Sequence, residues 1–204
     1  MLTLLTLVTG LSQAAPQDYV FLANRGLLYV KVMKADTIAA AAAHNHAIQA
    51  VGWSGKATWN KEDYSACSLS IVVPVNNLYV DKTETRRVAG LEGEASDSQR
   101  QTITKNMLAE GQLNAEDHPL ITFKSTSCTG EGEKATIVGE YTMRGVTRSI
   151  SVPVSVTDDD GFRIKGSFSV KATDFGFEPY STGFGAIANQ DKMEVFLDLY
   201  SKTK

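Results

Sequence analysis

Residues 148–156 read RSISVPVSV, in which Ile150, Val152, Val154 and Val156 alternate with Ser149, Ser151, Pro153 and Ser155. A strand with this period turns one face to an apolar interior and the other to water. The same alternation recurs on either side. Residues 136–143 place Ile137, Gly139, Tyr141 and Met143 on one face, and residues 162–170 place Phe162, Ile164, Gly166, Phe168 and Val170 there. Residues 192–201 add Met193, Val195, Leu197 and Leu199, while Glu140, Arg163, Lys165, Lys171, Glu194 and Asp198 take the opposite parity. One apolar lining and one wet exterior follow.

Working outward, strand-like segments fall at 19–33, 46–59, 68–75, 121–128, 136–143, 149–157, 162–170 and 192–201. The turn sequences TGEGE, RGVT and DDDG separate the later ones, and short connections imply antiparallel neighbours. Eight antiparallel strands can close into a barrel whose interior is either filled by side chains or holds one small ligand. The fold class expected is therefore all-β, a single eight-stranded barrel. The connection 76–118, between the third and fourth strands, interrupts the pattern. Ser96 and Gln99 form a capping-box pair, and Ile103, Met107 and Leu108 recur at helical spacing, which predicts one helix near 97–110. Residues 80–95 are charged and read as a loop at a barrel end.

The chain of 204 residues carries 20 Lys and Arg against 23 Asp and Glu, a net charge of −3, with no basic cluster. It lacks the electrostatic footprint of a nucleic-acid or anionic-membrane binder. The opening MLTLLTLVTGLSQAAPQ has an apolar run followed by small residues, although no Lys or Arg precedes it. It resembles a secretory signal, too short to span a bilayer, so residues 1–14 are expected to be removed and 15–204 to form a soluble periplasmic or secreted domain.

An exported chain with Cys67 and Cys128 invites a disulfide. Strand parity argues against one. Cys67 shares a face with Leu69 and Ile71, whereas Cys128 shares a face with Lys124 and Thr126, so the two should diverge unless a twist or bulge intervenes at the strand end.

Gly139 and Gly166 lie on the inward parity, where they either thin the wall of a cavity or relieve crowding at a bend. His44 and His46, in AHNHAI, fall on one side of a strand and suit either a polar head group at a rim, a structural role, or metal or haem ligation. Beyond that pair only His118 remains, beside Glu116 and Asp117. Arg144 could meet an anionic head group, and Asp174 is expected to cap its own turn with Gly176 in an unusual dihedral. Phe196 and Tyr200, on the outward parity of the last strand, offer a seat for a second subunit of a homodimer. No G-x-S-x-G, phosphate loop, dinucleotide fingerprint or paired-cysteine motif appears.

ITKNMLAEGQL, HPLITFKSTS, GEYTMRGVTRSISVPV and DFGF, in that order, resemble the YceI-like, polyisoprenoid-binding family of bacterial exported proteins. The pair of histidines in HNHAIQAVGWSG resembles a His-x-His branch of it. The resemblance implies a lipocalin-like barrel with an apolar tunnel for an isoprenoid lipid, isoprenoid quinone or other long amphiphile. It implies no catalytic residue and no cofactor beyond that bound lipid. The implied lining falls on Phe123, Tyr141, Met143, Ile150, Val152, Val154, Ile164, Phe168, Val195 and Leu197, with His44, His46 and Arg144 as candidate head-group contacts. The expected function is that of a non-catalytic carrier or storage protein. The alternatives are a metal- or haem-dependent enzyme or sensor built on His44 and His46, and a filled barrel acting only through its surface.

Overall fold

The computed structural model describes residues 15–158 and 160–202, so the expected signal segment lies outside the described residues. The described chain forms one twelve-stranded sheet in which every pairing is antiparallel. In chain order the strands are β1 (Gln17–Val20), β2 (Leu27–Lys34), β3 (His46–Ala50), β4 (Ser54–Trp59), β5 (Ser68–Pro74) and β6 (Leu78–Val80). After two helices, α1 (Thr83–Val88) and α2 (Asp97–Leu108), come β7 (Leu120–Glu131), β8 (Lys134–Met143), β9 (Val146–Thr157), β10 (Phe162–Lys171), β11 (Ser181–Thr182) and β12 (Ile187–Ser201).

Eleven of the twelve strands make eight staves, and the two-residue β11 lies off the ring beside β12. β1 and β2 run along β4 and β3, with Tyr19 opposite Ala57 and Val30 opposite Ile48. β4 and β3 in turn run along β5 and β6, with Ala57 opposite Leu69 and Ile48 opposite Val80. The ring continues through β7, β8, β9, β10 and β12, and β12 returns to β2. The lipocalin-like barrel thus has the expected circumference. The segments read as unbroken over 19–33 and 46–59 are each kinked, and so is the stave of β5 and β6.

The kinks have local causes. After β1 the carbonyl of Leu22 accepts from the N–H groups of Arg25 and Gly26. Between β3 and β4, Gly52 adopts φ +63°, in the left-handed region that glycine enters without penalty. Between β5 and β6 the chain takes a 3₁₀ turn over Val75–Asn77. The three breaks lie side by side as one crease, and Trp53 packs across it against Gly26, where a Cβ would stand 2.9 Å from the indole.

The parity expected of β8, β9, β10 and β12 holds: Ile137, Ile164 and Leu199 are fully buried, and Ile164 faces Val156 on one side and Leu199 on the other. In β7 it fails past Ser125. Ser125 pairs with Gly139 but Ser127 pairs with Val138, so Thr126 is an extra residue and everything beyond it changes face. Cys128 therefore turns inward opposite Ile137 and is bonded to Cys67, with the Cα atoms 6.0 Å apart. The expectation of divergent cysteines is overturned by that bulge.

The long connection holds two helices rather than one. α2 begins at the expected capping box, the Gln99 N–H donating to Ser96 Oγ (3.2 Å) and the Ser96 N–H to Gln99 Oε1 (2.8 Å). α1 lies in the stretch expected to be a loop. Its sequence TETRRV has no apolar period, and it is held instead by burial of Thr85 and Arg86. Arg144 (φ +51°) and Gly145 (φ +72°) form the two-residue turn joining β8 to β9, with positive φ at both positions as tight hairpins favour. No helix among the described residues is long and apolar enough to cross a membrane.

Candidate functional site

The barrel is filled at one end and hollow at the other. At the filled end Tyr19 stacks on Phe162 (3.8 Å between centroids), Trp59 packs against the same ring (6.0 Å), and Tyr64 meets Trp59 edge-on (5.3 Å). Tyr64 also donates its hydroxyl to the carbonyl of Gly132, closing the turn near the Cys67–Cys128 bridge over this end.

The other end encloses a cavity of about 590 Å³, within the range that holds one sizeable organic ligand. Its depth is apolar, walled by Val30 and Val32 of β2, Ile48, Leu78, Val170 and Val195. α2 lies over the opening and presents Gln99, Ile103 and Asn106, three and four residues apart, to the space beneath. Asn106 ties the helix to Tyr180 across the mouth (3.1 Å). A deeper apolar pocket of about 70 Å³ adjoins the cavity through Val30, Ile121, Tyr141 and Val195, which line both.

Tyr141, Met143 and Val195 line the main cavity, and Phe123, Tyr141, Val152, Phe168, Val195 and Leu197 line the smaller one. Ile164 and Val154 are buried in the core, and Ile150 is a half-buried residue packed against it. Burial raises the Tyr141 phenol above its ordinary pKa. Its hydroxyl points to the thioether of Met143, at 3.9 Å.

His44 and His46 both line the mouth, yet they differ. β3 begins at His46, so His44 precedes the strand and is exposed. The ring of His46 is held by Asp81, Nδ1 to Oδ2 at 2.7 Å. Asp81 is 1% exposed, and its Oδ1 accepts from the Ala47 N–H (2.9 Å) and from Arg86 Nη1 (2.9 Å). Burial by itself would raise the pKa of this carboxyl. The hydrogen bonds from His46, Ala47 and Arg86, with the charge of His46, outweigh it and hold the group below the ordinary carboxylate value. Arg86 further donates to the carbonyls of Asn45 (2.7 Å), Gly93 (2.8 Å) and Glu92. This buried network pins α1 and the 92–93 segment beside the cavity. Asp81 and Arg86 both line it, and sequence reading missed both. The one local signal was Asp81 itself, whose φ of +51° suits the Asp and Asn preference for left-handed positions.

Other candidates fall elsewhere. Arg144 is absent from the cavity lining and spends its guanidinium on the carbonyls of Glu110 (2.9 Å) and Gly176. His118 packs on Gly145, where a Cβ would lie 2.8 Å from its ring. Asp174 does not supply a side-chain cap to its turn. Asp191 of β12 takes that part, accepting from the N–H and hydroxyl of Thr173, while Gly176 has the expected positive φ of +77°. Among the described residues no group of three or more His, Cys, Asp or Glu side chains is placed to hold a metal ion.

One open alternative is decided and one expectation is corrected. Gly139 and Gly166 do not thin a wall beside open space. A Cβ on Gly139 would stand 2.5 Å from the Phe123 ring, and one on Gly166 2.5 Å from the Pro153 carbonyl and 2.8 Å from Val154. Both glycines relieve crowding. Nor do Phe196 and Tyr200 form a free aromatic pair. Phe196 stacks on Tyr29 (4.8 Å) in a small outer cluster with Ala89 and Leu91, and Tyr200 is covered by the guanidinium of Arg25 (4.0 Å).

Known proteins share this architecture. Burkholderia cenocepacia BcnA superposes with a TM-score of 0.67 at 14% identity, over 89% of this chain and 99% of that one. A polyisoprenoid binding domain from Saccharophagus degradans, implicated in plant cell wall breakdown, has a TM-score of 0.60 at 12% identity, over 91% and 98% of the two chains. At these identities the likeness is one of fold. A UPF0312 protein of Pseudomonas aeruginosa (strain LESB58) is 26% identical over 133 residues, 62% of this chain, and the match spans 60% of that relative's length. The family model for the YceI-like domain matches residues 31–200, so this chain belongs to the YceI-like family.

Proposed function

We infer that the protein is a non-catalytic carrier or storage protein for a long amphiphile, an isoprenoid lipid or isoprenoid quinone, working in the periplasm or outside the cell. The observation that carries this reading is the cavity of about 590 Å³ with largely apolar walls and a polar mouth. Each methylene moved from water into such a wall contributes about 0.8 kcal/mol, so a chain of several isoprene units is held by burial alone after the ordering cost is met. The polar groups then only orient the head. His44 and His46 stand at the mouth for that purpose, Arg86 and Asp81 hold His46 in place, and Tyr141 offers a hydroxyl from the depth. The chain also fits a His-x-His branch of the family through the same two histidines.

The test is organic extraction of the purified native protein followed by mass spectrometry, with metal analysis of the same sample. A stoichiometric isoprenoid or similar amphiphile is the expected result. Protein free of lipid but holding stoichiometric zinc, copper or haem would overturn the reading in favour of an enzyme or sensor.

A further inference from the structure

Two apolar side chains stand in water at the rim of the cavity. Ile38 is 97% exposed and Phe184 fully so. Phe184 sits at the tip of the loop entering β12 with φ +54°, between Gly183 (φ +60°) and Gly185 (φ +85°). A bulky side chain in the left-handed region between two glycines packs against nothing, so the fold gains nothing from its being phenylalanine.

The two tips form one projection. The Ala39 N–H (3.1 Å) and the Thr37 hydroxyl (2.7 Å) both donate to the Ala186 carbonyl, and the Ala35 N–H donates to that of Ala188 (2.8 Å). The projection edges the mouth, since Ala42, Ala43, Tyr180 and Ile187 all line the cavity. Residues 37–43 and 179–188 contain no charged side chain. The projection that carries the two tips is thus free of charged groups that resist leaving water.

We propose that Ile38 and Phe184 are the anchors by which the barrel seats its mouth on a lipid bilayer, so that an amphiphile passes between membrane and cavity without crossing bulk water. The proposal rests on the carrier reading above. A bilayer is the partner that fits. It accepts two projecting apolar tips without matching their shape, and the uncharged segments that carry them enter its interface with no ion to desolvate. The absence of charge on these two segments means that docking through them draws on neither anionic lipid nor low salt.

The experiment is flotation of the full chain with zwitterionic phosphatidylcholine vesicles. The double variant Ile38→Ser with Phe184→Ser should bind at least about tenfold more weakly than the wild type, the effect of withdrawing two large apolar side chains from the bilayer. Val20→Ser, which removes an apolar side chain 70% exposed on β1 at the filled end, should leave flotation unchanged. Added salt should also leave it unchanged. Equal flotation of wild type and double variant, or no flotation of the wild type, would overturn the proposal. So would a wild-type dimer that the double variant dissociates in sedimentation equilibrium without any vesicle binding, since the tips would then seat a second copy. Extraction of bound amphiphile from both proteins separates the two readings. Tip-dependent flotation of a chain that carries no lipid leaves docking standing and removes the carrier reading.

Discussion

The end of the barrel around Phe162 and the end beneath α2 are built from the same staves with the same alternation, and only the second encloses space. Residue size makes the difference. At the filled end Tyr19, Trp59, Tyr64 and Phe162 meet across the axis, and four rings fill the cross-section of an eight-stranded barrel. At the hollow end valine, isoleucine and leucine make up much of the opposing walls, with Tyr141 and Phe177 among them, and the side chains do not meet across the space. The two ends are also secured differently. A disulfide and packed rings close the first, whereas a buried His46–Asp81–Arg86 network props the second open and leaves α2, which has no buried residue, as its cover. Alternation decides which way a side chain points, and bulk decides whether the interior is solid.

The contrast can be broken most severely at Asp81. Asp81→Asn keeps the shape and tolerates the positive φ but leaves Arg86 buried without its counter-ion, a loss of about 3–5 kcal/mol in chemical denaturation. Because the folded-state pKa of Asp81 is depressed, its stabilisation is complete above the ordinary carboxylate pKa and is lost as pH falls through the lowered value. The gap in stability between wild type and variant should therefore narrow below about pH 4. A gap that stays constant from neutral pH to pH 2 would refute this assignment.

A gentler probe compares one chemistry in both ends. Leu199→Ala, in the solid core, creates a new void and should cost about 3–5 kcal/mol, whereas Leu78→Ala beside the cavity only enlarges existing space and should cost about 2–3. Equal losses in delipidated protein would mean that the two ends are packed alike. The smallest effect concerns the glycines. Gly166→Ala puts a methyl group against the Pro153 carbonyl and Val154 and should destabilise by about 1–3 kcal/mol without changing the amount of amphiphile extracted. Loss of ligand with stability intact would place Gly166 beside the cavity after all.

Much of this was legible in single residues. The parity of β8, β9, β10 and β12, the eight staves and the capping box of α2 rest on interactions within a few residues, so local pattern suffices to read them. The disulfide was not legible, because one extra residue in β7, visible only against β8, turns Cys128 inward. The same limit hid the role of Gly139, whose space is taken by Phe123 from the neighbouring strand. It hid the mouth network too, since His46 and Asp81 are 35 residues apart and the helix carrying Arg86 has no apolar period to announce it.

By itself the sequence determined which face of β8, β9, β10 and β12 is apolar, that the staves are antiparallel, and where α2 begins. Tertiary structure decided where the barrel is solid and where it is hollow, which cysteines meet, and which polar groups stand at the mouth. The physical reason is that direction along a strand is a property of the backbone period, carried by each residue alone. Void, bridge and ion pair depend on how far side chains reach from opposite walls, and no single strand contains both walls.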